Sequence, residues 1–154
     1  MNTTFKVIIS ILVCLGIGFL GAFATQASVG DWYLTIEKPS FNPPNWIFGP
    51  VWTTLYIMMG IAAGLVWSTE HVQKKTALAW FGVQLFFNLL WSFAFFYFES
   101  PASALVVIIL LLVSIVICML KFKSVLPKAM YLLIPYLAWV SFASLLNFEI
   151  WRLN

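Results

Sequence analysis

Three sets of rings and amides in this chain share a helical spacing. Gln84, Asn88, Trp91 and Phe95 fall at i, i+4, i+7 and i+11, which puts them on one face of a helix. Trp52, Tyr56 and Met59 line up in the same way, as do Trp139, Ala143 and the pair Leu146/Asn147. Such faces offer flat apolar surfaces with a few hydrogen-bonding groups, and Ala143 leaves space between them. They suit the stacking of a flat, mostly apolar molecule on indoles. An aromatic core glued by Gln84, Asn88 and Asn147 satisfies the same periodicity, so spacing alone leaves both readings open.

Other chemistries find no support. There is no pair of carboxylates, no Ser/His/Asp set and no cluster with metal-ligand spacing, so no metal site is expected. His71, the single histidine, reads as a solvated loop residue. Cys14 and Cys118 sit inside apolar runs, where thiols are inert core residues rather than a disulfide or metal pair. No Asp, Glu, Lys, Arg or His falls in the middle of an apolar run. A charge there costs about 2.5–3.5 kcal/mol even on generous insertion scales, and ion-moving proteins accept that cost. A proton-coupled pump or a channel with a charged filter is therefore disfavoured. The net charge of +3 comes from basic residues too few and scattered to imply nucleic acid.

The elements that must carry these faces follow from composition. Of 154 residues, 63% are hydrophobic and 8% charged, against about 25% charged in soluble domains. Apolar runs long enough to cross a bilayer occur at roughly 6–27, 45–67, 77–98, 102–120 and 129–148. The expectation is an all-α integral membrane protein, a single domain over 1–154 built as a bundle of five transmembrane helices with a long first loop. Ala22-Phe23-Ala24 resembles a signal cleavage site, but the first run exceeds a usual signal core and is read as a span. Lys6, Lys74, Lys75, Lys121, Lys123 and Lys128 would share one side, Lys38 and Arg152 the other. The positive-inside rule then places the N-terminus in the cytoplasm and loop 28–44 outside.

Proline and small residues punctuate the spans. Asn42-Pro43-Pro44 is expected to cap and open the second helix, Ser100-Pro101 the fourth after a tight turn at Glu99, and Pro127 the fifth. Pro50 and Pro135 lie deeper and should bend their helices, freeing the carbonyls of Trp46 and Tyr131. Gly60 and Gly64 form a GxxxG, and Gly18 with Ala22 a small-xxx-small; both permit close helix approach, inside one bundle or across a dimer seam. Between Trp32 and Tyr56 the chain packs three tryptophans, two tyrosines, two phenylalanines and four prolines, a density that neither a water-soluble loop nor an ordinary membrane helix requires.

The motifs in that stretch resemble a known family. Trp32-Tyr33, Lys38-Pro39-Ser40-Phe41, Pro43-Pro44, Phe48, Pro50-Val51-Trp52 and Tyr56 are similar to the signature of the TspO/translocator protein family, the tryptophan-rich sensory proteins or peripheral benzodiazepine receptors. Asn88-Leu89-Leu90-Trp91-Ser92 matches its third-helix motif, and Pro135-Tyr136 with Trp139, Phe142, Leu146 and Asn147 its fifth. The likeness covers the whole chain and is similar to the bacterial form from a bacillus.

The resemblance implies a five-helix bundle, usually a homodimer, whose first long loop is a lid over a ligand cavity. It implies a bacterial cell membrane location and binding of tetrapyrroles such as protoporphyrin IX, of isoquinoline carboxamides and of benzodiazepines. It further implies light-dependent breakdown of the porphyrin, needing light and oxygen but no cofactor, with Trp52 and Trp139 in the catalytic place. Carried over by residue, the loop would offer Trp32 and Tyr33 to the ligand, and the second span Phe48 and Tyr56. The third span would offer Gln84, Asn88, Trp91 and Phe95, the fifth Phe142, Ala143 and Asn147. The sterol motif of animal members needs a Tyr where this chain has Phe148, which counts against cholesterol. Porphyrin transport, and sensing through a partner, stand as the alternative functions.

Overall fold

A bilayer offers no water to backbone groups, so an apolar run must satisfy its own N–H and C=O, as a helix does. The chain does so five times. The computed structural model describes residues 1–154, all helix and turn without a strand. Helix α1 spans Thr3–Gln26, α2 Trp32–Thr35, α3 Asn45–Ser68 and α4 Lys74–Ser92. A π-helical turn, Phe93–Tyr97, prolongs α4; α5 follows at Pro101–Val125, α6 at Pro127–Tyr131 and α7 at Ile134–Leu153. Helices α1, α3, α5, α4 with its π turn, and α6 with α7 are each long and apolar enough to span. The fourth span runs past its expected end at 120 to Val125, taking in Lys121 and Lys123, whose long stems let their charges reach the interface.

The two ends of the bundle differ in charge. Lys6 of α1 lies 5.5 Å from the ring centre of Trp67, at the far end of α3, while Asn154 meets Glu37 of the first loop. Alternating helices therefore gather Lys6, Lys74, Lys75, Lys121, Lys123 and Lys128 at one end, with Lys38 and Arg152 at the loop end.

Two expectations about proline and caps are corrected. Asn42 does not cap α3: Pro44 holds the N-cap position with no side-chain bond, because the Asn42 amide is turned toward Tyr33. Pro135 does not bend a helix from within, since the fifth span breaks at Leu132–Leu133 and Pro135 sits in the first turn of α7, where its missing N–H has no partner to lose. Pro50 does lie inside α3. The Thr53 and Thr54 hydroxyls there donate to the Gly49 and Pro50 carbonyls, each at 2.8 Å. At the turn into α5, Glu99 takes a left-handed φ of 52°, and the Ser100 hydroxyl accepts the Ser103 N–H at 3.3 Å.

The GxxxG works inside the bundle. A Cβ on Gly64 would stand 2.5 Å from Val7 Cα, and Gly60 faces the Ile11 backbone as closely, so these glycines set the α1–α3 contact. Buried amides knit the other helices. Asn88 accepts from the Tyr56 hydroxyl at 2.6 Å and donates to Tyr136 at 2.8 Å, and Tyr136 donates to Gln84 at 2.6 Å. Thus α3, α4 and α7 share one hydrogen-bonded layer, which satisfies polar groups that hydrocarbon would leave costly. Cys14 and Cys118 are free and fully buried.

Candidate functional site: an aromatic cavity beneath the first loop

Above the amide layer, toward the loop end, α1, α3, α4 with its π turn and α7 separate around a cavity of about 920 Å³. That lies in the upper part of the ~300–1,000 Å³ range of small-molecule sites. Trp52 and Tyr56 stack on α3 with centroids 5.7 Å apart. On α7, Trp139 packs edge-on against Phe48 at 5.8 Å, and Ala143 beside it leaves the gap. On α4, Trp91 lies 5.5 Å from Phe95. The Trp91 indole donates to Asn147 at 2.9 Å, and Asn147 donates to the Pro101 carbonyl at 2.9 Å, so one amide orients the indole and ties α7 to the start of α5.

The π turn matters here. Its Phe98 N–H bonds to the Phe93 carbonyl at 2.8 Å, the wider spacing of a π turn, and Phe95 and Phe96 on it both border the cavity. The short helix α2 closes the end. Tyr33 is buried, with its ring 5.6 Å from Phe96 and its hydroxyl in reach of Asn42. Burial holds the Tyr33 phenol above its ordinary value, with the Asn42 hydrogen bond pulling the other way. Lys38 lies 4.7 Å from the Tyr33 ring centre, a cation–π distance.

Of the residues carried over to the site from the resemblance, Tyr33, Phe48, Trp52, Tyr56, Trp91, Phe95, Trp139, Ala143 and Asn147 border the cavity. Four do not. Trp32 packs edge-on to Phe95 at 5.7 Å and faces a separate hollow shared with Trp151 and Asn154, about 100° round the helix from its neighbour Tyr33. Gln84 and Asn88 are sealed in the amide layer below. Phe142 packs behind Trp139, at 5.7 Å, and on Phe41 of the loop, at 6.2 Å.

The sequence reading missed the whole contribution of α1. Leu15, Gly18, Phe19, Gly21, Ala22 and Thr25 border the cavity. A Cβ on Gly18 would meet the Tyr56 ring at 2.8 Å, so this glycine makes room for the ring that forms the cavity wall. Its small-xxx-small spacing with Ala22 was the available signal, but a helix of plain aliphatics gives no polar mark for an inward face.

Three buried polar atoms lack a partner: Ser28 Oγ, Ser68 Oγ and Trp139 Nε1. The Trp139 Nε1–H is buried and has no acceptor, whereas the Trp91 indole is paired. A buried donor without a partner costs about 1–3 kcal/mol; the Trp139 ring borders the cavity, but this atom is closed off from it. No three His, Cys, Asp or Glu side chains converge anywhere in the chain.

Known proteins are similar to this chain in sequence over most of its length. Residues 10–152 match the TspO/MBR family. The chain belongs to that family. The tryptophan-rich protein TspO of Archaeoglobus fulgidus is 44% identical over 97% of this chain and 97% of its own length. That of Chlorobaculum tepidum is 47% identical over 92% of this chain and 91% of its own. The translocator protein of Bos taurus is 36% identical over 94% of this chain and 87% of its own. As a TspO/MBR protein with five apolar spanning helices, this is a multi-pass membrane protein.

Proposed function

We propose that the cavity binds flat tetrapyrroles such as protoporphyrin IX and promotes their light-dependent oxidative breakdown. The observation that carries the reading is a cavity of about 920 Å³ with the rings of Tyr33, Phe48, Trp52, Tyr56, Trp91 and Trp139 on its border. A planar aromatic ligand would stack on the rings of Trp52 and Trp139. Isoquinoline carboxamides and benzodiazepines, which are flat, fit the same description.

The porphyrin would absorb the light and pass its excitation to oxygen, which then oxidises the ring. The protein need only hold the ring, limit water and keep the oxidisable indoles of Trp52 and Trp139 close. Transport is the weaker reading, because the bonded layer of Tyr56, Asn88, Tyr136 and Gln84 floors the cavity and leaves no straight path through. The lysine-rich end would face the cytoplasm, and a homodimer would be the assembled form.

Purified protein would be titrated with protoporphyrin IX in the dark while tryptophan fluorescence is followed, then illuminated beside a Trp52→Phe, Trp139→Phe variant. Saturable quenching followed by bleaching that the variant lacks supports the proposal. Bleaching no faster than that of free porphyrin removes the photochemistry and leaves binding. Absence of saturable quenching overturns the cavity reading altogether.

A further inference from the structure

The seam between α1 and α3 changes character along its length. At Gly60 and Gly64 the two backbones touch, with no space for a methyl group. Toward the loop end that contact is lost: nothing lies within 4 Å of where a Cβ on Gly49 would be. The cavity reaches the surface here. Its border includes Phe19, Ala22 and Gln26 of α1 and Trp46, Gly49 and Thr53 of α3, all of them exposed. Phe19 is 75% and Trp46 74% exposed, so this wall is a window. Both helices are bilayer-spanning, and the window therefore opens toward lipid.

The loop end is fastened by comparison. Glu37 N–H donates to Asn154 Oδ1 at 3.0 Å, and Asn154 Nδ2 donates back to the Glu37 carbonyl at 2.8 Å. This reciprocal pair ties the loop to the end of α7. Within the loop, Tyr33 engages Asn42, and Lys38 Nζ donates to the Ile36 carbonyl at 3.2 Å.

We propose that ligands exchange between the cavity and the bilayer through the α1–α3 window, with the loop remaining closed. The inference rests on the cavity reading above and adds the route. It has a simple driving force: a large apolar ring dissolved among lipid tails would reach Trp52 without exposing its faces to water.

The test uses a Phe23→Cys variant in nanodiscs of phosphatidylcholine, since Phe23 is exposed on α1 between Phe19 and Gln26 without bordering the cavity. Cys14 and Cys118 are buried, so benzyl methanethiosulfonate caps the introduced thiol at the window and a reductant removes the cap. Stopped-flow quenching by protoporphyrin IX in the dark gives both rate constants. Capping is expected to slow association and dissociation together by about tenfold or more with Kd held within about threefold, since a portal changes rates and not the bound state. Reduction should restore both. Bridging the loop through Glu37→Cys and Asn154→Cys with a short bis-maleimide should leave both rates unchanged. Unchanged rates on capping, a faster dissociation alone, or arrest by the loop bridge would each overturn the window as the route. Failure of the uncapped protein to quench saturably would instead overturn the cavity reading, so the two failures are separable.

Discussion

Trp139 and Tyr33 show how single side chains define this site. Trp139 holds a buried N–H without an acceptor, and its replacement by Phe removes that donor together with part of the aromatic surface. Trp139→Phe is expected to weaken a flat aromatic ligand by about 0.5–1.5 kcal/mol, roughly two- to tenfold, through lost stacking surface. Competition binding should show the same loss for ligands of one shape with and without a carbonyl. Tyr33 has its phenol raised by burial, so the closed loop favours the neutral form. The loop's packing then stands in full below the ordinary tyrosine value of about 10 and weakens as pH rises past it. A spin label on Leu34→Cys should gain mobility in that alkaline range, and adding Tyr33→Phe should abolish the change. The inward orientation of Trp91 and Phe95 was legible in the sequence because helical spacing groups them. The inward turn of Tyr33 rather than Trp32 was not, because it depends on how a four-residue helix lies on Phe95 and Phe96.

At the scale of elements, the turn from α4 to α5 is a tight point in the chain. Glu99 occupies the left-handed region at φ 52°, which costs an L-residue about 1–2 kcal/mol. Glu99→Gly is expected to raise stability by up to about 1 kcal/mol, the remainder being lost to the freer unfolded chain, and thermal melting in detergent would show it. Proline and serine marked this junction in the sequence. They did not reveal the π turn before it, since Phe93–Tyr97 reads as a continuation of α4 and only packing on α1 and α5 favours the wider spacing. The Pro135 break misled for a related reason: proline marks a fault in a helix, but neighbours decide whether the helix bends through it or restarts beside it.

For the whole molecule, charge and shape give separate information. The lysine-rich end is expected to be cytoplasmic. A membrane-impermeant thiol reagent should label Glu37→Cys in intact cells and Lys123→Cys only after lysis. The reverse pattern would invert the assigned orientation. The GxxxG shows how shape is decided: its spacing allowed a dimer seam or an internal contact, and Val7 and Ile11 of α1 occupy it.

The sequence by itself determined the class, the number of spans, the separation of charge and the faces rich in rings and amides. Each follows from local rules, since a bilayer requires about 20 apolar residues per helix and helical geometry groups residues three and four apart. Tertiary structure decided which faces became core and which became cavity. Gln84 and Asn88 went to the sealed layer, while Trp52 and Trp139 were left beside open space, although all four sit on similar aromatic faces. That division depends on the distance between helices, set by glycines against α1 at one end of the seam and by the absence of contact at Gly49 at the other.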